Sequence, residues 1–182
     1  MPIINKGNTS NNFTKGFINR RFRHEFKFYI NHFEYEILRR KLQRCLSRDK
    51  FSDKSGNYHI RSLYFEDANN TALSEKQAGV LSRKKYRIRI YNLENSIIKL
   101  EKKAKEGQFI SKQSAQSTLN EYNKIINNDI EFLRNSNDVL LQEFYYDKLS
   151  NCYTPVVVVD YIREAYVLGY SNIRITFDKE LK

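Results

Sequence analysis

The sequence predicts an α+β fold: an antiparallel β-barrel tunnel, closed or nearly closed, with helices packed outside it. Three observations support this prediction. About six segments alternate with a period of two residues, as strands do. Each of them carries aliphatic or aromatic residues on one face and Arg, Lys, Glu or Tyr on the other. Helical patterns lie between the strands, and if those helices cover the apolar faces, closure gathers the charged faces into a polar lumen.

The composition fits one domain with a large excess of basic residues. The chain has 182 residues, and 40% hydrophobic residues are enough for one core. Its net charge of +11 indicates a polyanionic partner: nucleic acid, a membrane surface or a phosphate-rich molecule. Nucleic acid is disfavoured, because the basic residues share strand faces with acids instead of forming an exposed stripe.

The two cysteines, Cys45 and Cys152, have no metal-ligand spacing, and the three histidines add no zinc pattern. We therefore expect two reduced thiols in the core. No apolar run approaches the roughly 18 residues of a membrane span, and no signal-peptide pattern is present. The sequence predicts a cytoplasmic protein without a membrane segment.

The first third of the chain starts with a polar region and continues into alternating elements. Residues 1–19 are rich in Asn, Gly, Ser, Thr and Lys, which predicts a disordered N-terminal tail ahead of a domain over residues 20–182. Residues 23–30 alternate as a strand. Asn31 is a good N-cap for a helix over residues 32–46.

The middle of the chain contains a hairpin with unusual polarity. A strand over residues 58–65 and a short helix near Thr71–Gln77 precede it. The hairpin strands are predicted over residues 82–91 and 96–103, joined by a turn at residues 92–95. Each of these strands has charged side chains on one face and aliphatic ones on the other.

The last third is predicted to be helical first and then extended. Residues 109–112 lead towards one or two helices over residues 113–134, broken near residues 127–129. Asp138 caps the next helix, whose buried side should include Val139, Leu140, Phe144 and Leu149. A closing hairpin is predicted over residues 156–167 and 172–178.

The charged strand faces supply the candidate site. Cations crowded into a low-dielectric lumen repel one another, so the lumen should hold a polyanion. Arg binds phosphate oxygens bidentately and Lys supplies point charge, which suits a chain of phosphates. Arg61 is either a tunnel residue or an ordinary strand arginine, and Glu25 and Glu101 are candidates for holding a divalent cation. The expected inward-facing cations are Lys27, Arg87, Arg89, Lys99, Lys103, Arg163 and Arg174.

Six short segments, in order, resemble the successive motifs of VTC-type polyphosphate polymerase domains, in the triphosphate tunnel metalloenzyme (CYTH-like) superfamily. The similarity runs from about Arg20 to the last residue. The segments are residues 23–28 (RHEFKF), 60–67 (IRSLYFED), 85–91 (KYRIRIY), 100–103 (LEKK), 161–163 (YIR) and 174–178 (RITFD).

The resemblance implies a tunnel that transfers the γ-phosphate of ATP to a growing polyphosphate chain, with Mn²⁺ or Mg²⁺ as cofactor. Family members continue beyond the RITFD strand into strands with a metal-binding Glu and another basic residue, whereas this sequence stops at Lys182. We therefore expect an incomplete barrel, or one that a second chain completes. The family's basic tunnel residues correspond to Lys27, Arg87, Arg89, Lys103, Lys112, Arg163 and Arg174.

Two other functions remain open from the sequence. The same tunnel could hydrolyse triphosphate with water as the acceptor. An incomplete tunnel could also bind polyphosphate, or another phosphorylated polyanion, without turnover.

Overall fold

The computed structural model describes residues 22–182, and all structural statements refer to that part of the chain. The predicted tail of residues 1–19 lies outside it. The described residues form an eight-stranded antiparallel sheet that curls into a half-barrel with helices. This confirms the predicted α+β class and the incomplete barrel.

Five helices and eight strands make up the described chain. In chain order they are β1 (Phe22–Arg23), α1 (His32–Cys45), β2 (Ser47–Arg48), β3 (Asn57–Glu66), α2 (Thr71–Gln77), β4 (Ser82–Tyr91), β5 (Glu94–Glu106), β6 (Phe109–Ser117), α3 (Leu119–Ile126), α4 (Glu131–Arg134), α5 (Val139–Asn151), β7 (Thr154–Val167) and β8 (Arg174–Lys179).

The strands are ordered β1-β6-β5-β4-β3-β7, and β8 pairs with the other edge of β7. The short strand β2 pairs with the last two residues of β7. Because β8 pairs with those residues too, β2 must lie on the β3 side of β7. The half-barrel therefore runs from β1 and β6 at one end to β8 at the other.

Strands β4, β5 and β6 form a meander with short turns. The turn between β4 and β5 contains only Asn92 and Leu93, both with positive φ (53° and 57°), as in two-residue hairpin turns. It is shorter than the predicted turn over residues 92–95. The Asn92 side-chain oxygen accepts a hydrogen bond from the His59 backbone N–H (3.1 Å), which ties the turn to β3.

Strand β6 corrects the prediction that residues 109–112 lead into a helix. Its backbone pairs with β5 from Ile98↔Ser117 to Glu106↔Phe109, and this ladder outweighs the weak local preference of the sequence for either structure. The helix begins only after Thr118, which forms a capping box with Glu121. The predicted break at residues 127–129 is confirmed between α3 and α4.

The strand predicted over residues 23–30 was wrong beyond its first residue. β1 pairs with β6 through Phe22↔Ser111 and Arg23↔Ile110. Because β6 begins at Phe109, it offers hardly any further backbone for pairing, and residues 24–31 have no regular secondary structure. Phe26 and Phe28 are accordingly exposed.

Helix α1 is anchored to the outer face of β7 and β8 by one buried carboxylate. Its N-terminus has the predicted Asn31 cap. Tyr35 Oη donates to Glu164 Oε2 (2.6 Å) and Arg39 Nε to Glu164 Oε1 (3.0 Å). The Tyr35 ring also packs edge-on against Phe177, with centroids 5.0 Å apart.

The main core lies between the outer face of the sheet and helices α3 to α5. Phe144 of α5 contacts the rings of Phe65 and Tyr86. Of the predicted buried side of α5, Leu140 and Phe144 are buried, but Val139 and Leu149 are exposed. The buried face of α5 consists instead of residues at helical spacing: Leu140, Leu141, Phe144, Tyr145 and Lys148.

Two further expectations concern the cysteines and membrane spans. Cys45 and Cys152 are free thiols, as expected, but both are exposed, so their predicted core location was wrong. Among residues 22–182, no helix combines the length and apolarity needed to cross a bilayer.

The core makes a direct stability prediction. Leu133 is fully buried in α4, whereas Leu149 in α5 is 53% exposed. We expect Leu133→Ala to lower the free energy of unfolding by about 3 kcal/mol and Leu149→Ala to lower it by less than about 1 kcal/mol. Urea unfolding measures both, and equal losses would contradict the location of this core.

Candidate functional site

The face of the sheet opposite the main core collects charged residues from β4 to β8. On β4, Lys85, Arg87 and Arg89 lie directly opposite Lys103, Glu101 and Lys99 of β5. Cross-strand partners point to the same face. Its charged side chains include Lys85, Arg87, Arg89, Lys99, Glu101, Lys103, Lys112, Arg163, Arg174 and Asp178.

The sheet curls towards this face, which we call the concave face. Arg89 on β4 reaches past β3 to donate to Tyr161 Oη on β7 (2.9 Å). Arg174 on β8 reaches past β7 to donate to Tyr58 Oη on β3 (2.6 Å). Contacts between strands that are not neighbours show that side chains converge on this face.

The centre of the concave face is the buried carboxylate of Glu101, which is 1% exposed. Arg87 contacts its Oε2 through Nε (2.8 Å) and Nη2 (2.7 Å). Lys112 forms an ion pair with Oε1, and Arg89 Nη1 lies 3.8 Å from Oε2. One carboxylate on β5 therefore holds cations from the strands on both sides.

Charge and burial act in opposite directions on Glu101. Burial alone would raise the pKa of this carboxyl, but Arg87, Lys112 and Arg89 outweigh it and hold the pKa below its usual value. The carboxylate therefore stays ionised at neutral pH. Burial alone would lower the pKa of Arg87, but Glu101 and Tyr64 outweigh it and raise the pKa above its usual value, so the guanidinium stays charged.

A second charged cluster lies on β7 and β8. Arg163 makes a bidentate contact with Asp178 (2.6 and 2.7 Å) and lies over the Tyr161 ring at 5.2 Å. Arg174 pairs with Asp49 (2.5 Å). These arginines are oriented by aromatic and acidic neighbours, so their forks have defined directions.

The segment after β1 adds charge at the β6 end of the face. Glu25 forms an ion pair with Lys103, and Lys27 is near enough that its charge lowers the pKa of both groups. Although residues 24–31 do not form the predicted strand, they still bring Glu25 and Lys27 to this face.

The structure brings together nearly all of the predicted site residues. Arg61 is the exception: it lies on the opposite face, with Leu63 and Phe65, and pairs bidentately with Asp160 (2.7 to 3.2 Å). It is therefore an ordinary strand arginine. The others share the concave face or its edge, and their phosphate-binding roles remain predictions: Lys27, Arg87, Arg89, Lys99, Lys103, Lys112, Arg163 and Arg174.

Two side chains were missed by the sequence reasoning. Tyr64 Oη accepts a hydrogen bond from Arg87 Nη1 (3.0 Å). Burial raises the pKa of Tyr64, but Arg87 and Lys85 outweigh it and bring the pKa below its usual value. Lys85 lies over the same ring at 5.0 Å. Lys85 alternates with Arg87 and Arg89 along β4, and this alternation in the sequence could have identified Lys85 as a residue of the same face.

The two carboxylates predicted to hold a divalent cation are ion-paired in the ligand-free protein. Glu101 forms ion pairs with Arg87 and Lys112, and Glu25 forms one with Lys103. Among residues 22–182, no three or more His, Cys, Asp or Glu side chains are grouped as metal ligands would be. A magnesium ion bound with a phosphate chain takes one or two carboxylates, and waters and phosphate oxygens supply its other ligands, so the metal roles of Glu25 and Glu101 remain predictions.

The structural comparison defines the class of fold. The chain is similar to the crystal structure of a "putative adenylate cyclase" from Bacillus halodurans, with a TM-score of 0.53 and 11% sequence identity. The match covers 87% of this chain and 70% of the other. At this identity the similarity shows a shared fold: a curled antiparallel sheet with helices on its outer side. A comparison with curated protein sequences gave no match.

The family is shown by the sequence itself. The family model described as the VTC domain matches residues 22–182, which is the whole of the described structure. This protein belongs to the VTC domain family, and the resemblance stated from its motifs is confirmed.

The central ion pair makes a prediction about acid stability. Glu101→Gln should lower the free energy of unfolding of the ligand-free protein by about 3 kcal/mol at neutral pH, because it breaks a buried ion pair. The folded pKa of Glu101 lies below its ordinary value of 4.5. Its contribution is thus present above that pH and is lost as the pH falls through the folded pKa.

The stability difference between the wild type and Glu101→Gln should therefore shrink on acidification, as measured by urea unfolding across the acid range. The comparison cancels the other carboxyls, which both proteins share. A difference that stays constant down to about pH 3 would mean that folding does not lower the pKa of Glu101, and a difference that grows on acidification would mean that Glu101 is neutral in the folded protein.

Proposed function

We propose that the concave face binds condensed phosphate, the triphosphate of a nucleotide or inorganic polyphosphate. The observation that carries this proposal is the convergence of Lys and Arg from β4 to β8 on one curled face, where the acids are fewer than the cations. Retaining such an excess costs stability in the absence of a ligand. A chain of phosphates offers the repeated negative charge that would balance it.

Phosphate can enter this site by exchange of partners. In the free protein, Glu101 occupies the forks and ammonium groups that phosphate oxygens would use. Arg87 has a fork suited to bidentate phosphate contact, and Lys112 is a point charge beside it. A phosphate group with a higher charge than one carboxylate competes well for both, particularly on a face partly shielded from water.

We infer that the reaction is transfer of the γ-phosphoryl group of ATP to the end of a polyphosphate chain. The bond from the γ-phosphorus to the bridging oxygen breaks, a bond to a terminal polyphosphate oxygen forms, and ADP leaves. Such transfers depend on positioning and charge stabilisation more than on covalent catalysis. The residues proposed to stabilise the transferred group and align the two chains are Arg87, Arg89, Lys103, Arg163 and Arg174.

A second candidate is a binding module that holds polyphosphate without turnover. The observation that favours it is the engagement of Glu25 and Glu101 by Lys103, Arg87 and Lys112, which leaves them poorly placed to hold the divalent cation that the reaction is expected to use. Hydrolysis of triphosphate, with water as acceptor, is the third candidate and uses the same residues.

The binding proposal is tested by a charge-neutral double variant. Arg87→Met with Glu101→Gln removes one cation and one anion from the concave face, so the net charge stays the same. We expect affinity for tripolyphosphate to fall about tenfold or more, because one charge-assisted contact is worth that much. Isothermal titration calorimetry in EDTA measures the affinity without a divalent cation.

The matched control is Arg61→Met with Asp160→Asn, which removes a similar ion pair from the outer face. Its affinity for tripolyphosphate should stay within about twofold of wild type. Equal losses in both double variants, in proteins that remain folded, would show that the concave face has no special part in binding.

The reaction is tested separately with ATP and Mn²⁺ or Mg²⁺. We expect polyphosphate, detected by gel electrophoresis and by its digestion with a polyphosphatase, to accumulate together with ADP. Release of orthophosphate alone would indicate the hydrolase, and tight binding without ADP formation would indicate the binding module.

A further inference from the structure

Three lysines lie side by side across three neighbouring strands of the concave face. The register pairs Lys85 of β4 with Lys103 of β5, and Lys103 with Lys112 of β6. Directly opposite side chains on neighbouring strands have Cβ atoms about 5 Å apart. Like charges in such positions destabilise a sheet, so this lysine row is unfavourable without an anion.

The three lysines differ in their partners. Lys103 has Glu25, and Lys112 has Glu101. Within the part of the chain that the structure describes, Lys85 makes no ion pair with a carboxylate. It lies over the Tyr64 ring, and Glu66 of β3 is near enough that the charge of Lys85 acts on its pKa. On the same strand, the neighbouring Lys84 points to the outer face and pairs with Asp147 (2.5 Å). A direct ion pair is thus made by Lys84 but not by Lys85.

The electrostatic state of the row agrees with this geometry. Burial lowers the pKa of Lys85, and the charges of Lys103 and Arg87 lower it further. Burial also lowers the pKa of Lys103 and of Lys112, although their carboxylate partners oppose the shift. All three ammonium groups are therefore held at a cost that a bound anion would remove.

The lysine row is next to the row that contains the ion pair at the centre of the site. Lys85 and Arg87 are two residues apart on β4, and Lys103 and Glu101 are two residues apart on β5. The backbone positions of each pair are therefore about 7 Å apart. A phosphate group held by Arg87 would therefore need a covalent extension to reach Lys85. Condensed phosphate is such an extended anion, and orthophosphate is not.

We propose that Lys85 selects ligands by length, by binding the phosphate group that lies beyond the one held by Arg87. This inference rests on the proposed binding of condensed phosphate and adds a residue and a specificity to it. Lys103 and Lys112 complete the same subsite from the neighbouring strands. The site would accordingly discriminate between condensed phosphate and orthophosphate.

The test compares two ligands and two positions on one strand. Lys85→Met should weaken tripolyphosphate binding about tenfold while leaving orthophosphate binding within about twofold, as measured by calorimetry in EDTA. Lys84→Met, which removes the same charge one residue away on the outer face, should leave both affinities within about twofold. Lys85→Arg keeps the charge and should restore most of the affinity for tripolyphosphate.

The outcomes separate this inference from the function it rests on. If the wild type binds tripolyphosphate and Lys85→Met lowers the affinity for both ligands by the same factor, Lys85 contributes only to the positive electrostatic potential of the face. The inference is then wrong. If the wild type binds neither ligand, the proposed function fails and the inference fails with it. The melting temperature of ligand-free Lys85→Met should equal or exceed that of wild type, because like-charge repulsion is relieved; a large decrease would show a structural role.

Discussion

The concave face depends on one buried anion. Glu101 sits on the central strand of the β4-β5-β6 meander, and Arg87 and Lys112 approach its two oxygens from opposite sides. Without it, cations from three strands would face one another on a half-buried surface. The same device recurs on β7 and β8, where Asp178 and Asp49 orient Arg163 and Arg174. The carboxylates of the chain therefore act as counter-ions to these cations, and an anionic ligand would have to compete with them for the same arginines and lysines.

The hydrophobic core and the candidate site lie on opposite faces of the sheet. On β4, Tyr86 and Ile88 point into the main core, while Arg87 and Arg89 point to the concave face. A shift of register by one residue would exchange these sets and bury the arginines under the helices. The pairing register that builds the core is thus the same register that builds the site.

The alternation of side chains along the strands could be predicted from the sequence, and it placed most of the candidate residues on the face where the structure has them. The alternation did not show which face of β3 is the polar one. In β3, one face carries Tyr58, Ile60, Ser62 and Tyr64, and the other carries His59, Arg61, Leu63 and Phe65; neither set is clearly the polar one. Only the pairing with β4 and β7 shows that Arg61 faces outward.

Other features depend on partners distant in the chain. Local sequence cannot show that β6 pairs with β5 along its whole length. It also cannot show that the pairing of β1 with β6 ends at Arg23. The pairing of Glu101 with Lys112 likewise needs the β5–β6 register, which no local pattern contains. Ladder lengths and ion-pair partners are tertiary properties, whereas the alternation that they use is a property of each segment.

The short turns of the meander have a consequence for how the protein folds. Asn92 and Leu93 join β4 to β5, and Gly107, with a φ of 60°, and Gln108 join β5 to β6. Contacts of such low sequence separation close quickly, whereas the pairing of Asn57 with Glu164 must await a long loop. The ion pairs around Glu101 should therefore form early in folding, in a locally assembled three-stranded nucleus onto which β3, β7 and β8 later add.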